Sequence, residues 1–150
     1  MAEELPFRKE IEFAYGEAKQ LAPGIVRIVA NNPSPFTYKG TNTYLLGEGR
    51  EVFLIDPGPA DAAHLDAILA ALQGRKLTHI VITHTHHDHV DGLEALRGRT
   101  GALTAGFGRM VANPGRTKSS PAGGEYVEND FKPDIVLKDG DRLEGSDFAL

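Results

Sequence analysis

Four side chains able to bind a metal ion fall within six positions of one segment, His84-Thr85-His86-His87-Asp88-His89. His84, His86 and His89 offer imidazole nitrogen and Asp88 offers carboxylate oxygen, a ligand set suited to zinc, with iron or manganese as alternatives. If the preceding strand runs through Thr83, His84 and His86 project to the same side, because side chains of an extended chain alternate with a period of two. That pair can share one ion. A turn toward the next helix then swings Asp88 and His89 to a neighbouring point where a second ion can sit. His87 alternates away from His86 and reads as solvent-facing. Two ions roughly 3.5–4 Å apart can hold a hydroxide between them and polarise a substrate oxygen, and zinc lowers the pKa of its water to about 7. The chemistry that such a cluster predicts is hydrolysis.

The elements around the cluster must place it. Ile80-Val81-Ile82 is a continuous apolar run, the pattern of a strand buried on both faces, and the cluster follows it at once. In sheets with parallel strands, sites form beyond the carboxyl ends of the strands, where this cluster falls. Upstream, Ile25, Val26, Ile28 and Val29 predict a strand that Asn31-Asn32-Pro33-Ser34-Pro35 terminates. Thr41 to Leu46 and Glu51 to Asp56, joined by Gly47-Glu48-Gly49-Arg50, predict a hairpin. Ala62 to Leu72 predicts a helix with Leu65, Ile68, Leu69 and Leu72 on one face, Asp61 capping its start and Gly74 ending it. A short helix from Gly92 to Arg97 and a strand from Ala102 to Ala105 follow. This order predicts a layered α/β fold with helices over a mixed sheet. His64, on the exposed arc of the first helix, and His79, opening a strand, are expected to be structural. Residues 1–20 read as an N-terminal extension or a short outer helix. Residues 106–133 read as one long loop, a functional lid or a disordered stretch.

Composition narrows the function. With 41% hydrophobic and 25% charged residues among 150, the chain is expected to form one soluble globular domain. No apolar run approaches the roughly 20 residues that cross a bilayer, and the N-terminus lacks a secretory pattern, so a cytoplasmic location without membrane contact is the default expectation. The absence of cysteine excludes disulfides, thiolate metal sites and cysteine nucleophiles from these residues. A net charge of −5 argues against a general nucleic-acid-binding surface.

His84 to His89, preceded by Val81-Ile82-Thr83 and followed by Gly92, resembles the His-x-His-x-Asp-His signature of the metallo-β-lactamase superfamily without departure. Leu54-Ile55-Asp56-Pro57-Gly58 resembles that family's earlier strand-end motif, which implies that Asp56 orients the metal ligands rather than binding metal. Asn32-Pro33 and Gly40-Thr41-Asn42-Thr43-Tyr44-Leu45 are similar to the lactamase-β-2-like branch, whose members include an endoribonuclease acting on single-stranded RNA. The resemblance spans roughly residues 24–106. It implies an αβ/βα sandwich and a zinc-dependent hydrolase using a dinuclear metal-bound hydroxide, with His84 and His86 on the first ion and Asp88 and His89 on the second. Asp88 would also shuttle a proton to the leaving group.

The family's full site further needs a later histidine on the first metal, a bridging aspartate and a final histidine on the second, and no histidine follows His89. These residues are therefore expected to be the N-terminal half of the sandwich, with activity requiring the remaining ligands. The alternative is a non-catalytic half domain, with residual or no metal binding, that forms a homodimer through its uncovered sheet. Implied substrates are a small-molecule ester, thioester or amide. Single-stranded RNA is less favoured, because Arg109, Arg116 and Lys118 in the long loop are more simply read as solvated.

Overall fold

The computed structural model describes residues 10–108 and 131–150. Seven strands form one sheet whose spatial order follows chain order: β1 (Lys19–Ala22), β2 (Ile25–Val29), β3 (Asn42–Leu46), β4 (Glu51–Ile55), β5 (Lys76–Ile82), β6 (Leu103–Gly106) and β7 (Ile135–Val136). The pairs from β1 to β4 are antiparallel, and those from β4 to β7 are parallel. The helices are α1 (Ala62–Leu72), α2 (His87–Val90) and α3 (Leu93–Thr100). The expected mixed α/β sheet is thus present, and one local expectation is revised. Within the first twenty residues, a strand begins at Lys19 and Tyr15 bridges to Val29, where an outer helix was the alternative. Most of the expected loop, with Arg109, Arg116 and Lys118, lies outside the described residues.

Alternation along β4 and β5 divides the apolar side chains between two faces. Val52, Leu54, Ile80 and Ile82 join Leu65, Ile68, Leu72, Leu93 and Leu96 in the core beneath the helices. Each fully buried aliphatic side chain of this kind contributes about 1.5–3 kcal/mol of hydrophobic stabilisation. Phe53, Val81 and Ala105 form a second cluster on the opposite face. That face was expected to lie open. Instead residues 143–150 fold back on themselves, with Leu143 and Leu150 exchanging backbone hydrogen bonds at 2.9 Å, and Phe148 packs edge-on to Phe53 at 4.7 Å. Asp147 ties this turn down by accepting from the backbone N–H groups of Glu48 and Gly49. Phe53 is left only 2% exposed, so among the described residues the centre of this face is covered, and nothing here supports the homodimer that an open face suggested.

The parallel pairing of β4 and β5 brings two distant segments together. Ile55 stands opposite Val81, and the Asp56 N–H donates to the Val81 carbonyl at 2.9 Å. Both strands end at the same edge of the sheet, so Asp56 and the segment after Ile82 emerge side by side. No helix of the described residues is long and apolar enough to cross a membrane.

Candidate metal centre

Strand β5 ends at Ile82, and the chain bends at Thr83, so strand alternation is not what positions His84 and His86. They lie in a short loop, with His86 preceding the single turn of α2, and their rings still meet edge-to-face at 4.7 Å. The helical turn carries His89 back over the loop, where its ring lies 4.1 Å from that of His84. Asp56, His84 and His89 present ligand-type atoms that all lie within 4.8 Å of one another. Backbone bonds clamp the two segments: Gly58 N–H donates to His89 O at 3.1 Å, and Gly92 N–H donates to Gly58 O at 2.9 Å. Glycine at position 92 suits this close approach, because a Cβ there would sit a tight 3.0 Å from the Pro59 carbonyl oxygen.

Asp56 is 4% exposed and adopts φ +53°, a left-handed conformation that costs a non-glycine residue free energy. Both oxygens of its carboxylate accept hydrogen bonds, from three donors in all. Oδ1 accepts from the Thr83 N–H at 2.9 Å, and Oδ2 accepts from the Thr83 hydroxyl at 2.6 Å and from His89 Nδ1 at 2.8 Å. Since the Thr83 hydroxyl spends its proton on Asp56, it must accept from His84 Nδ1, 2.9 Å away. One carboxylate thereby sets the tautomer of two imidazoles. Nδ1 is the donor in both rings, so Nε2 is the nitrogen each ring leaves for another partner. This is the outer-shell arrangement that fixes metal-ligating histidines.

Asp88 approaches from α2. Its Oδ2 lies 3.2 Å from His89 Nε2 and accepts from the Thr41 hydroxyl at 3.1 Å. Asn32 holds Thr41 in turn: its Nδ2 donates to the Thr41 hydroxyl and its Oδ1 accepts the Thr41 N–H. With Nδ1 as the donor to Asp56, the neutral His89 ring faces Asp88 acceptor to acceptor. That contact fits only a positive charge between them, either a proton on Nε2 or a metal ion. His87 turns outward, half exposed, and pairs with Asp91 at 2.8 Å. His79 stacks on Phe53. His64, expected on an exposed arc, is instead 3% exposed beneath the site. Sequence reasoning also overlooked Thr83, Thr41, Asn32 and Thr43. Their one signal is that Thr41 and Thr43 stand two apart at the start of β3 and so share a face.

The electrostatics separate the two central histidines. Burial lowers the pKa of His84, and the neighbouring His89 and His86 lower it further, with Asp56 and Asp88 offsetting only part. Burial also opposes charge on His89, but the hydrogen bond it donates to Asp56 and the negative charges of Asp56 and Asp88 outweigh it and raise its pKa. In the metal-free protein, the attraction holding this proton stabilises the fold below about pH 6.5 and is lost as pH rises through the elevated folded value. A metal ion competes for the same lone pair, so affinity should fall as pH drops through that value. A histidine NMR titration is expected to show His89 losing its proton at higher pH than His84; the reverse order would contradict this assignment of charge.

Comparison with known proteins bears on the fold and the family. A family model described as the metallo-beta-lactamase superfamily matches residues 37–149. The chain is 39% identical over 82 residues to an atrochrysone carboxyl ACP thioesterase of Passalora fulva, covering 53% of this chain and 25% of that protein. It is 42% identical over 83 residues to a beta-lactamase-like protein 2 homolog of Drosophila melanogaster, covering 53% of this chain and 28% of that protein. The matches span about a quarter of the length of these curated relatives. Among solved structures, the chain is similar to BJP-1, a subclass B3 metallo-beta-lactamase of Bradyrhizobium japonicum, with a TM-score of 0.64 and 23% identity over 91% of this chain and 50% of that one. At that identity the likeness speaks for the fold alone.

Proposed function

This chain belongs to the metallo-beta-lactamase superfamily, and from that premise we propose that it forms the zinc-binding part of a hydrolase acting on a small-molecule thioester, ester or amide. The observation that carries the reading is the gathering of Asp56, His84 and His89, whose ligand-type atoms lie within 4.8 Å of one another, with Nδ1 of both rings engaged as a donor toward Asp56 or Thr83. A donor set of imidazole nitrogen and carboxylate oxygen fits zinc, with iron or manganese as the alternatives.

In this reading His84 and His86 hold one ion, Asp88 and His89 hold the second, and Asp56 orients rather than ligates. Its three accepted hydrogen bonds support that role, since they occupy both of its oxygens. When bound, the metal supplies an activated water as nucleophile and polarises the substrate oxygen. Asp88 has one oxygen steadied by Thr41, and it is assigned the transfer of a proton to the leaving group. Turnover is assigned to a site completed by a later histidine on the first ion, a bridging aspartate and a final histidine on the second. A thioester is the favoured substrate class, supported by the relative named as a carboxyl ACP thioesterase.

Two measurements test this. The chain loaded with zinc and then dialysed is expected to retain metal by elemental analysis. The protein carrying the completed ligand set is expected to hydrolyse a chromogenic thioester, with activity abolished by a chelator and restored by zinc. Hydrolysis indifferent to the chelator, or zinc lost entirely on dialysis, would overturn the reading.

A further inference from the structure

Beneath the centre lies a buried histidine that the hydrolytic reading does not use. His64 sits in the first turn of α1, where its own N–H caps onto Asp61 Oδ1 at 2.7 Å. Its ring reaches β3, and Nε2 lies 2.9 Å from the hydroxyl of Thr43, a residue with no exposed surface. That hydroxyl also lies 2.7 Å from the backbone carbonyl of Asp56, which can only accept. Thr43 therefore spends its proton on Asp56, and His64 must donate through Nε2. The direction of the chain is determined: His64 Nε2–H to Thr43, then Thr43 O–H to the Asp56 carbonyl.

The same ring meets the strand-end turn at a second point. A Cβ on Gly58 would lie 2.9 Å from His64 Nε2, and Gly58 has φ +80°. The imidazole thus packs against the turn two residues beyond Asp56, where Gly58 binds the His89 backbone. Asp56 is held in its left-handed conformation between this buttress and its bonds to Thr83. Burial keeps His64 neutral against the pull of Asp61, which suits a ring that must donate in one fixed tautomer. His64 Nδ1 has no hydrogen-bond partner among the described residues, although it is buried. An orphaned acceptor of this kind costs free energy, and a residue chosen for packing alone would avoid it.

We propose that His64 and Thr43 are positioning residues of the metal centre, setting the backbone of Asp56 so that its carboxylate holds His89 and, through Thr83, His84 with Nδ1 as the donor nitrogen of each ring. The proposal rests on the metal-binding reading of His84 and His89, and its test separates the two. Thr43→Val removes the donor at nearly constant shape, and His64→Leu removes the donor to Thr43. Thr43→Ser retains the hydroxyl, and His64→Gln retains an N–H near the position of Nε2.

In the metal-free proteins, at a pH above the titration of His89, the imidazole 15N shifts of His89 should move from the Nδ1–H pattern toward a tautomer mixture in Thr43→Val and His64→Leu. They should return in the two conservative variants. Zinc affinity should fall about tenfold in Thr43→Val, the low end of what loss of an orienting partner costs, and recover in Thr43→Ser. Unchanged His89 shifts and unchanged zinc affinity in a folded Thr43→Val protein would overturn the proposal. If Thr43→Val does not fold, His64→Leu and its glutamine rescue decide the question by the same shifts. Should the parent bind no zinc, the metal reading fails, yet the metal-free 15N shifts still decide whether His64 and Thr43 position Asp56.

Discussion

Replacing Asp56 by Asn is expected to reduce zinc affinity by about 10–100-fold while leaving the fold intact, because it reverses the protonation of two histidines at once. The carboxylate accepts three hydrogen bonds and donates none. An amide has one oxygen, which the Thr83 N–H claims, and its NH2 then faces the Thr83 hydroxyl and His89 Nδ1. Both must become acceptors. His89 moves its proton to Nε2, where Asp88 receives it, and the Thr83 hydroxyl turns to His84, whose proton also moves to Nε2. The two lone pairs that would meet the metal are thereby capped with hydrogen. Stability should fall by about 1–2 kcal/mol, since a charge-assisted set of bonds becomes a neutral one. Asp56→Ala should cost more, because it leaves the Thr83 N–H and His89 Nδ1–H without acceptors. Isothermal titration with zinc and the metal-free imidazole 15N shifts measure both effects. An Asp56→Asn protein that binds zinc like the parent, with unchanged shifts, would show that Asp56 does not orient these rings.

The second large effect is expected at His84, whose ring contacts those of both His86 and His89. His84→Ala should reduce zinc affinity by more than the roughly 100-fold upper range for an orienting partner, since a ligand itself is removed. The metal-free protein should be no less stable, and slightly more so at acid pH. Burial and the neighbouring His89 and His86 already disfavour a charge on His84 in the folded state. A site built to bind a cation crowds groups that repel one another when protonated, and relieving that crowding stabilises the empty fold. His87→Ala is the matched control, because His87 faces outward on Asp91. Its zinc affinity should stay within about twofold of the parent and its stability within about 0.5 kcal/mol. If His84→Ala retained zinc while His87→Ala lost it, the assignment of ligands within the segment would have to be redrawn.

Much of the architecture was legible in the residues. The period of Leu65, Ile68 and Leu72 located α1 and its Asp61 cap, and the apolar run at Ile80 to Ile82 located a strand buried on both faces. The segment from His84 to His89 was legible as a candidate metal cluster because ligand spacing within six residues is local. The geometry expected for it was not correct. Strand alternation through Thr83 was to align His84 and His86, but β5 stops one residue earlier, and a loop and helical turn gather the rings instead. The placement of His64 failed for a related reason. A helix pattern shows which residues share a face, not how far the core wraps around that face. Here the Asp56 to Gly58 turn covers the arc that the pattern left outside.

The sequence by itself determined the candidate ligand types, their order and the family, because those depend on residues adjacent in the chain. Only the tertiary structure decided which atoms meet at the candidate centre. That outcome rests on the parallel pairing of β4 with β5, which sets Asp56 beside Thr83 and His89 across about thirty residues of chain. It rests also on a count of protons: with each hydroxyl donating once and each carboxylate only accepting, the hydrogen bonds of Asp56, Thr83 and Thr43 make Nε2 the donor in His64 and Nδ1 the donor in His84 and His89. No spacing rule encodes that count, since the partners meet only when the sheet has formed.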